Sequence, residues 1–543
     1  MNLFGPSGRQ PSNSQQHFSQ IPRAEIQRSV FDRSSTHKTT CNSGLLIPIY
    51  ADEVLPGDTI NLHSSIFARL ATPLTPFMDN VYCDVQWFFV PNRLLWNNWE
   101  RFNGAQDNPD DSTDFLVPQI ALTTETMLSM SLFDYLGIPP GVGDVNVAAW
   151  WTRAYNLIWN EWYRDENLQD SVVVDKGDGP DDPADYVLLR RGKRKDYFTS
   201  ALPWPQKGPA VTIPLLGNAP VLGIGKATSG WNSGASGPLY TSDGTFGTNY
   251  DPWNEISDLN SGTKFIAKGK VISGVTYPDF YADLSEASSA TINMLRTSFQ
   301  YQRFLERDAR GGTRYTEILL SHFGVTAPDF RLQRPELLGT SSTRVNVNPI
   351  AQTSETADTP QGTLSAVGTL SSVAPGFGKS FVEHGVILGL MSIRADLTYQ
   401  QGANRMFFRR TREDFYWPAF SHLGEQSILN REIYLQGDNA AEDTEVFGYQ
   451  ERYAEYRYKP SIITGLQRSN VSAGFQTLDI WNLSQDFEEL PDLDSIFIQE
   501  NPPIQRVVAV KNPKPEWLVD MSFRVKHARP MPVYSVPGLI DHF

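Results

Sequence analysis

Gly378, Lys379 and Ser380 come nearest to a known chemical motif in this chain, because they read like the end of a phosphate-binding loop. Such a loop needs a second glycine five positions before Gly378, so that successive backbone N–H groups can cradle the phosphates, and that position holds Val373. The G-x-S-x-G turn of serine hydrolases and the H-E-x-x-H helix of zinc proteases are missing, and the eight histidines are too scattered to suggest a ligand pair. Cys41 and Cys83 are the only cysteines, too few for a disulfide framework and wrongly spaced for zinc, and are expected to be buried free thiols. The loop Asp175 to Asp182, DKGDGPDD, offers oxygens for Ca²⁺ but not in the EF-hand order, so a solvated turn fits it better. No cofactor is implied. With 61 acidic residues, a glycosidase-like pair of carboxylates stays open as the strongest enzymatic alternative.

Two groups of cations stand out instead. Arg190, Arg191, Lys193, Arg194 and Lys195 form one run, suited to phosphates or to an acidic loop such as Asp165 to Asp185 on the same or a neighbouring subunit, and a subunit interface is the favoured reading. In the last forty residues Lys511, Lys514, Arg524, Lys526 and Arg529 interleave with Trp517, Phe523, His527 and Tyr534. Charge for phosphates and flat rings for unstacked bases is what single-stranded nucleic acid without sequence preference requires. Phe523 alternates with Val525 as a core strand should, so Lys511, Lys514, Lys526 and Arg529 are the better DNA-facing candidates, joined by Arg9, Arg23 and Arg28 near the start.

A net charge of −15 argues at first against a polyanionic partner. The distribution does not: residues 1–40 and 506–543 each carry net +3, while Asp486, Glu488, Glu489, Asp492, Asp494 and Glu500 follow one another with no Lys or Arg between Asp486 and Glu500. That polarity suits a shell with basic termini inward and an acidic exterior; ordinary solvated tails are the competing reading. The 64 aromatic residues fit either large packed interfaces or an aromatic-rich β core. Neither a signal peptide nor an apolar run of membrane-spanning length is seen, so the chain is expected to fold in cytoplasm without its own anchor.

The elements that must position these groups are mostly strands. Residues 1–40, rich in Ser, Gln, Asn and Pro, read as a flexible basic arm. Strands are expected at Leu45 to Tyr50 and Thr59 to Leu70, around the turn Leu55-Pro56-Gly57-Asp58, at Val81 to Val90, at Val386 to Leu397, and where Val519, Met521, Phe523 and Val525 alternate with polar residues. Helices are expected after an Asn92 cap, over Val145 to Tyr163, and over Ser285 to Arg310 with Ile292, Leu295 and Phe299 on its apolar face, restarting at Tyr315 to Phe323. Early strands, late strands and long insertions describe an antiparallel β-sandwich of the jelly-roll type over residues 41–543. The stretch from Gly208 to Ser285, rich in Gly, Ser, Thr and Asn, reads as one long excursion with isolated Trp231, Tyr240, Phe246, Tyr250 and Trp253.

One block is more specific than any pattern. Asn80 to Gly104, NVYCDVQWFFVPNRLLWNNWERFNG, closely resembles a segment of the major capsid proteins of gokushoviruses, small icosahedral bacterial viruses of the microvirus family. Six further segments follow in the same order: DYFTSALPWPQKGP from Asp196, RLQRPELLG from Arg331, EHGVILGLMSIRADLTYQQG from Glu383, FYWPAFSHLGEQ from Phe415, GYQERYAEYRYKPS from Gly448 and HARPMPVYSVPGLIDHF from His527. The resemblance implies an eight-stranded jelly roll with large insertions, no catalysis, and assembly into a T=1 icosahedral shell around circular single-stranded DNA. It also implies scaffolding and minor structural proteins as partners, and a protrusion at the threefold axis, built by the 208–285 insertion, that meets a bacterial surface receptor. A carbohydrate-active or carbohydrate-binding β-sandwich is the alternative left by the residues alone.

Overall fold

The computed structural model describes residues 26–211, 221–222, 224–226, 265–267, 269–272, 275–278, 281–282, 292–311, 317, 319–323, 332–357, 359–437, 440–511 and 513–534. The chain divides into two compact units, Gln206–Gly324 and the remainder on either side of it in sequence.

In the larger unit the strands are β1 (Ser29–Asp32), β2 (Ser35–Cys41), β3 (Ile47–Val54), β4 (Thr59–Leu70), β5 (Val81–Pro91), β6 (Glu336–Arg344), β7 (Asn346–Ala351), β8 (Leu364–Ser380), β9 (Gly385–Ala395), β10 (Glu425–Leu429), β11 (Val446–Glu451) and β12 (Trp517–Arg529). Six of them form one antiparallel sheet, in which β1 and β2 lie along one side of β12 and β4, β8 and β7 follow on the other. Four form the second, in the order β6-β5-β9-β3. Neighbours in each sheet are far apart in sequence, as in a jelly-roll sandwich, where late strands complete sheets begun by early ones.

The residue pattern dictates which face is buried. Along β4, Ile60, Leu62, Ile66 and Ala68 point inward while Asn61, His63, Ser65, Phe67 and Arg69 point out, and β12 repeats this with Val519, Met521, Phe523 and Val525 inward. These meet Ile47, Val85, Trp87, Phe89, Ile387 and Met391 of the second sheet in one core. Trp87 is its hub, 6.0 Å from Phe523, 5.8 Å from Tyr50 and 5.9 Å from Phe377.

The second sheet is covered on its other face too, so β9, GVILGLMSIRA, is buried at every position. Val386, Leu388 and Leu390 turn away from the sandwich core and pack with Phe88, Val90, Leu95, Trp96 and helix α1 (Trp150–Ile158). Tyr155 of that helix donates to Leu46 O at 2.9 Å, tying the layer to the sheet.

Several sequence expectations shift. Residues 29–32 and 35–40, read as part of the arm, belong to edge strands: Val30, Thr36, Thr39 and Thr40 suit a pleated surface, and β12 offers them open backbone groups. Residues 145–163 begin as a strand, Val145–Ala148, paired with Gln119–Leu122, because alternating Val145 and Val147 suit a ladder better than a helix start; the helix begins at Trp150 and closes with a π turn, Trp159–Tyr163. Asn92 caps nothing with its side chain: Pro91 holds the N-cap position of a three-residue turn whose carbonyl at Asn92 accepts from Leu95 and Trp96.

In the smaller unit, α2 spans Ile292–Arg310, and Phe299, expected on an apolar face, is 67 % exposed there. The excursion supplies paired short strands, Ile224–Lys226 with Phe265–Ala267 and Gly269–Ile272 with Val275–Pro278. Trp231, Tyr240, Phe246, Tyr250, Trp253 and Tyr315 lie outside the described residues.

Candidate functional site

The near-motifs are absorbed by the fold. Gly378, Lys379 and Ser380 lie within β8, where Lys379 forms an ion pair with Glu336, so no loop leads into a helix N-terminus. In the acidic loop, Arg153 is fully buried and donates to both oxygens of Asp181, to Leu95 O at 2.9 Å and to Gly177 O at 3.0 Å. Asp178 accepts from Trp96 Nε1 at 2.6 Å and Asn98 Nδ2 at 2.9 Å. The loop is thereby clamped through Asp178 and the buried Asp181, while Lys176 to Pro180 and Asp182 are exposed, as expected of a solvated turn. Cys41 and Cys83 are free and buried, and burial pushes the Cys83 thiol up to about 12.

The run 190–195 divides in two. Arg191 donates to Asp84 Oδ2 at 2.6 Å and Ser392 Oγ at 2.8 Å, joining Arg394 on the same carboxylate. Burial raises the Asp84 pKa, but Ser342, Arg191 and Arg394 outweigh it and hold the group below its usual range. Lys193 is buried, donates to Gln485 at 2.7 Å and sits 4.2 Å over the ring of Phe497; burial lowers its pKa to about 8. Arg190 donates to Glu500 O at 3.0 Å. Arg190, Arg191 and Lys193 therefore strap the 485–500 segment to the second sheet inside one chain. Lys195 pairs with Asp165, the acidic partner expected, within the same chain, and Arg194 and Lys195 are exposed.

The DNA-facing candidates do not converge. Arg9 and Arg23 lie outside the described residues. Arg28, exposed, donates to Thr59 Oγ1 at 2.6 Å, and Lys526 pairs at 2.7 Å with Asp32, so both stand at the end of the sandwich that carries the 55–58 turn. Lys511 and Lys514 are exposed just before the opposite end of β12, about 40 Å away at the rise of an extended strand.

Arg529 belongs to a buried cluster instead. It donates to Glu53 O at 2.6 Å and lies 3.2 Å from Asp58 Oδ2, which is also 3.0 Å from His527 Nε2. Arg33 Nη1 approaches the other ring nitrogen at 3.3 Å. Arg529 Nε also lies 3.0 Å from Nε2, so each ring nitrogen faces an arginine donor and Nε2 faces the Asp58 carboxylate as well. Burial, with Arg529 nearby, outweighs the pull of Asp58 and lowers the His527 pKa, which disfavours the charged ring.

What the sequence reading missed is a face rather than a motif. The six-stranded sheet turns Lys38, Arg69, Arg524 and Lys526 outward with His63 and Phe67, and Arg69 lies 5.4 Å over the Phe67 ring. The signal was present in the strict alternation of β4 and β12, but only pairing in the sheet places the four cations on one surface.

A jelly-roll sandwich with buried charge clamps, thick insertions and broad exposed cationic and aromatic surface has the makings of a shell-building protein. The chain belongs to the capsid protein family described as Capsid protein (F protein), whose model matches residues 19–539. It is 48 % identical to the capsid protein VP1 of Bdellovibrio phage phiMH2K, covering 98 % of this chain and 99 % of that protein. It is 44 % identical to capsid protein VP1 of Chlamydia phage 1 (97 % and 98 %) and 36 % identical to that of Spiroplasma virus 4 (96 % of each). These are proteins of gokushovirus type, as the ordered segments imply. The chain is a structural component of a virion, an oligomeric shell protein and not an enzyme. No helix among the described residues is long and apolar enough to cross a membrane.

Proposed function

We propose that this protein forms a T=1 icosahedral shell around a circular single-stranded DNA genome, assembled in the host cytoplasm with scaffolding and minor structural proteins, and that its 208–285 insertion forms a threefold protrusion that attaches to a bacterial surface receptor. Membership of the capsid family supports the shell, and the ordered gokushovirus-like segments support its symmetry and genome. For the genome contact, the supporting observation is the uncovered face of the six-stranded sheet, with Lys38, Arg69, Arg524 and Lys526 among polar and aromatic side chains. Such a face offsets phosphate charge without reading bases.

The test changes all four cations to Gln and measures binding of the purified chain to circular single-stranded DNA over a range of salt. Each phosphate contact on a single strand contributes about 0.7 to the log–log salt slope, so loss of four flattens it by up to roughly 3. An unchanged slope would remove this face from the genome contact. Lys511, Lys514 and Arg28 would then be the next set to test.

A further inference from the structure

Two of the gokushovirus-like segments, FYWPAFSHLGEQ and GYQERYAEYRYKPS, lie far apart in the chain, and the fold brings them together. Tyr416 packs edge-on against Tyr453 at 5.1 Å and accompanies Tyr456 at 6.2 Å, and the Tyr416 N–H donates to the Tyr456 hydroxyl at 3.3 Å. Arg409 spans the seam, 4.3 Å over Tyr456 and 5.6 Å over Phe415, and Arg412 lies 4.4 Å over Trp417. Residues 410–419 are all exposed.

This surface is held in shape rather than loosely displayed. Asp414 accepts from the backbone of Arg410 at 2.8 Å and of Thr411 at 2.7 Å, which turns one local carboxylate onto its own main chain. Trp417 Nε1 donates to Arg412 O at 2.9 Å. Tyr453 adopts a left-handed φ of 61° as the chain enters the short helix Ala454–Arg457, and its N–H donates to Gln426 at 3.0 Å. A cavity of about 330 Å³ opens alongside, with Phe198, Tyr399, Met406, Phe407, Ile462 and Ile463 in its wall.

Its composition is that of an interface centre. Phe407 is 71 % exposed and Ile462 73 %, while Phe415, Tyr416 and Tyr456 are about half exposed. With Trp417 these leave on the order of 600 Å² of mostly apolar side chain uncovered, near the upper limit for a free monomer and most of what one partner contributes to a stable contact. Aromatic residues, Met and Arg are the types enriched at interface cores. The surface also has a sign: Arg410, Arg412, Lys459 and Arg468 make no ion pair among the described residues. Elsewhere on the chain Asp486, Glu488, Glu489, Asp492 and Asp494 are all exposed and likewise unpaired among the described residues.

We propose that the arginine-aromatic surface built by residues 405–420 and 453–462 is one half of a head-to-tail contact between copies of this chain, the other half being the acidic stretch Asp486 to Asp494 of the neighbouring copy. The inference rests on the shell-forming reading and deepens it by naming the two faces. A contact between different faces repeats around a rotation axis and closes into a ring, which an isologous pairing cannot do. Opposite charge steers the two faces together, and the aromatic centre, with its adjoining cavity, supplies the desolvated anchors.

The experiment uses the full chain under conditions in which the wild type forms particles, read by sedimentation velocity and negative-stain electron microscopy. Variants are Arg410→Glu with Arg412→Glu, then Glu488→Lys with Glu489→Lys and Asp492→Lys, then all five together, each checked for native circular dichroism. Each separate set is expected to lower the assembled fraction by at least about tenfold, since like charges then face each other. The combined variant, with both signs inverted, is expected to recover assembly. Undiminished assembly in either separate set overturns the contact, as does a combined variant no better than the separate ones. Shells that form normally from the arginine variant but hold less DNA would assign the surface to nucleic acid and overturn it too. A wild type that never associates would count against shell formation itself, a different failure.

Discussion

At the scale of single residues, the environment decides what each charge does. His527 is fully buried between Asp58 and two arginines, and its pKa lies below the ordinary 6.5. As pH falls through 6.5 the unfolded chain takes up a proton that the folded chain refuses, so the stability contributed by the neutral ring is complete above 6.5 and is lost as pH falls toward the folded pKa. His527→Gln should cost roughly 1–3 kcal/mol at alkaline pH, by disturbing the bonds to Asp58, and should flatten the fall in denaturation midpoint below pH 6.5. A variant with the wild-type acid slope would show that other groups carry the dependence. None of this was legible in HARP, the tetrapeptide around His527. The run 190–195 teaches the same limit. Its charge could be counted, and its acidic partners near Asp165 were anticipated for Lys195, yet Arg191 and Lys193 turned inward because Asp84 and Gln485, distant in sequence, arrive at the same place.

Elements were more legible than residues because alternation is a local signal. Val81, Cys83, Val85, Trp87 and Phe89 were read as one face of a strand, and all five line the sandwich core. The alternation of β12 was read equally directly. What alternation cannot show is that a strand is buried on both faces, so β9 was expected as a strand over Val386 to Leu397 but not as a doubly covered one, nor can it show a change of element across a single residue such as Ala149. The register around Trp87 makes a sharper claim. Gly339 and Gly389 sit opposite it on the two flanking strands, and a Cβ at Gly389 would approach the indole to 2.6 Å. Gly389→Ala should therefore cost about 1–3 kcal/mol through overpacking. Gly378→Ala on β8 meets nothing within 4 Å and should be neutral or slightly stabilising, by up to about 1 kcal/mol. Equal thermal midpoints for the two variants would mean that the indole shifts freely, contrary to its place at the hub of the core.

At the scale of the whole molecule, the sandwich strands and the insertion fall in separate units of the chain. Every strand of the two main sheets comes from outside Gln206–Gly324, so the shell-building scaffold does not depend on that unit for its hydrogen-bonded ladders. The sequence marked the change in kind near Gly208 through its Gly, Ser, Thr and Asn content, but composition could not show that the unit extends beyond Ser285 to include α2. Contacts between copies leave even fainter traces. A single sequence records the residue types on each surface and not which surface they meet, so the segment from Phe415 to Gln426 looked like a family marker until the fold set its start beside 453–458. The division predicts separable failures. Replacing Gly225 to Trp253 by a short Gly-Ser linker should leave circular dichroism and particle formation intact, because no strand of either sandwich sheet is touched. Adsorption of those particles to host cells should fall to background, because the aromatic residues Trp231, Tyr240, Phe246, Tyr250 and Trp253 are lost together. Particles that adsorb normally would move receptor binding off the insertion, and a chain that no longer forms particles would make the insertion part of assembly.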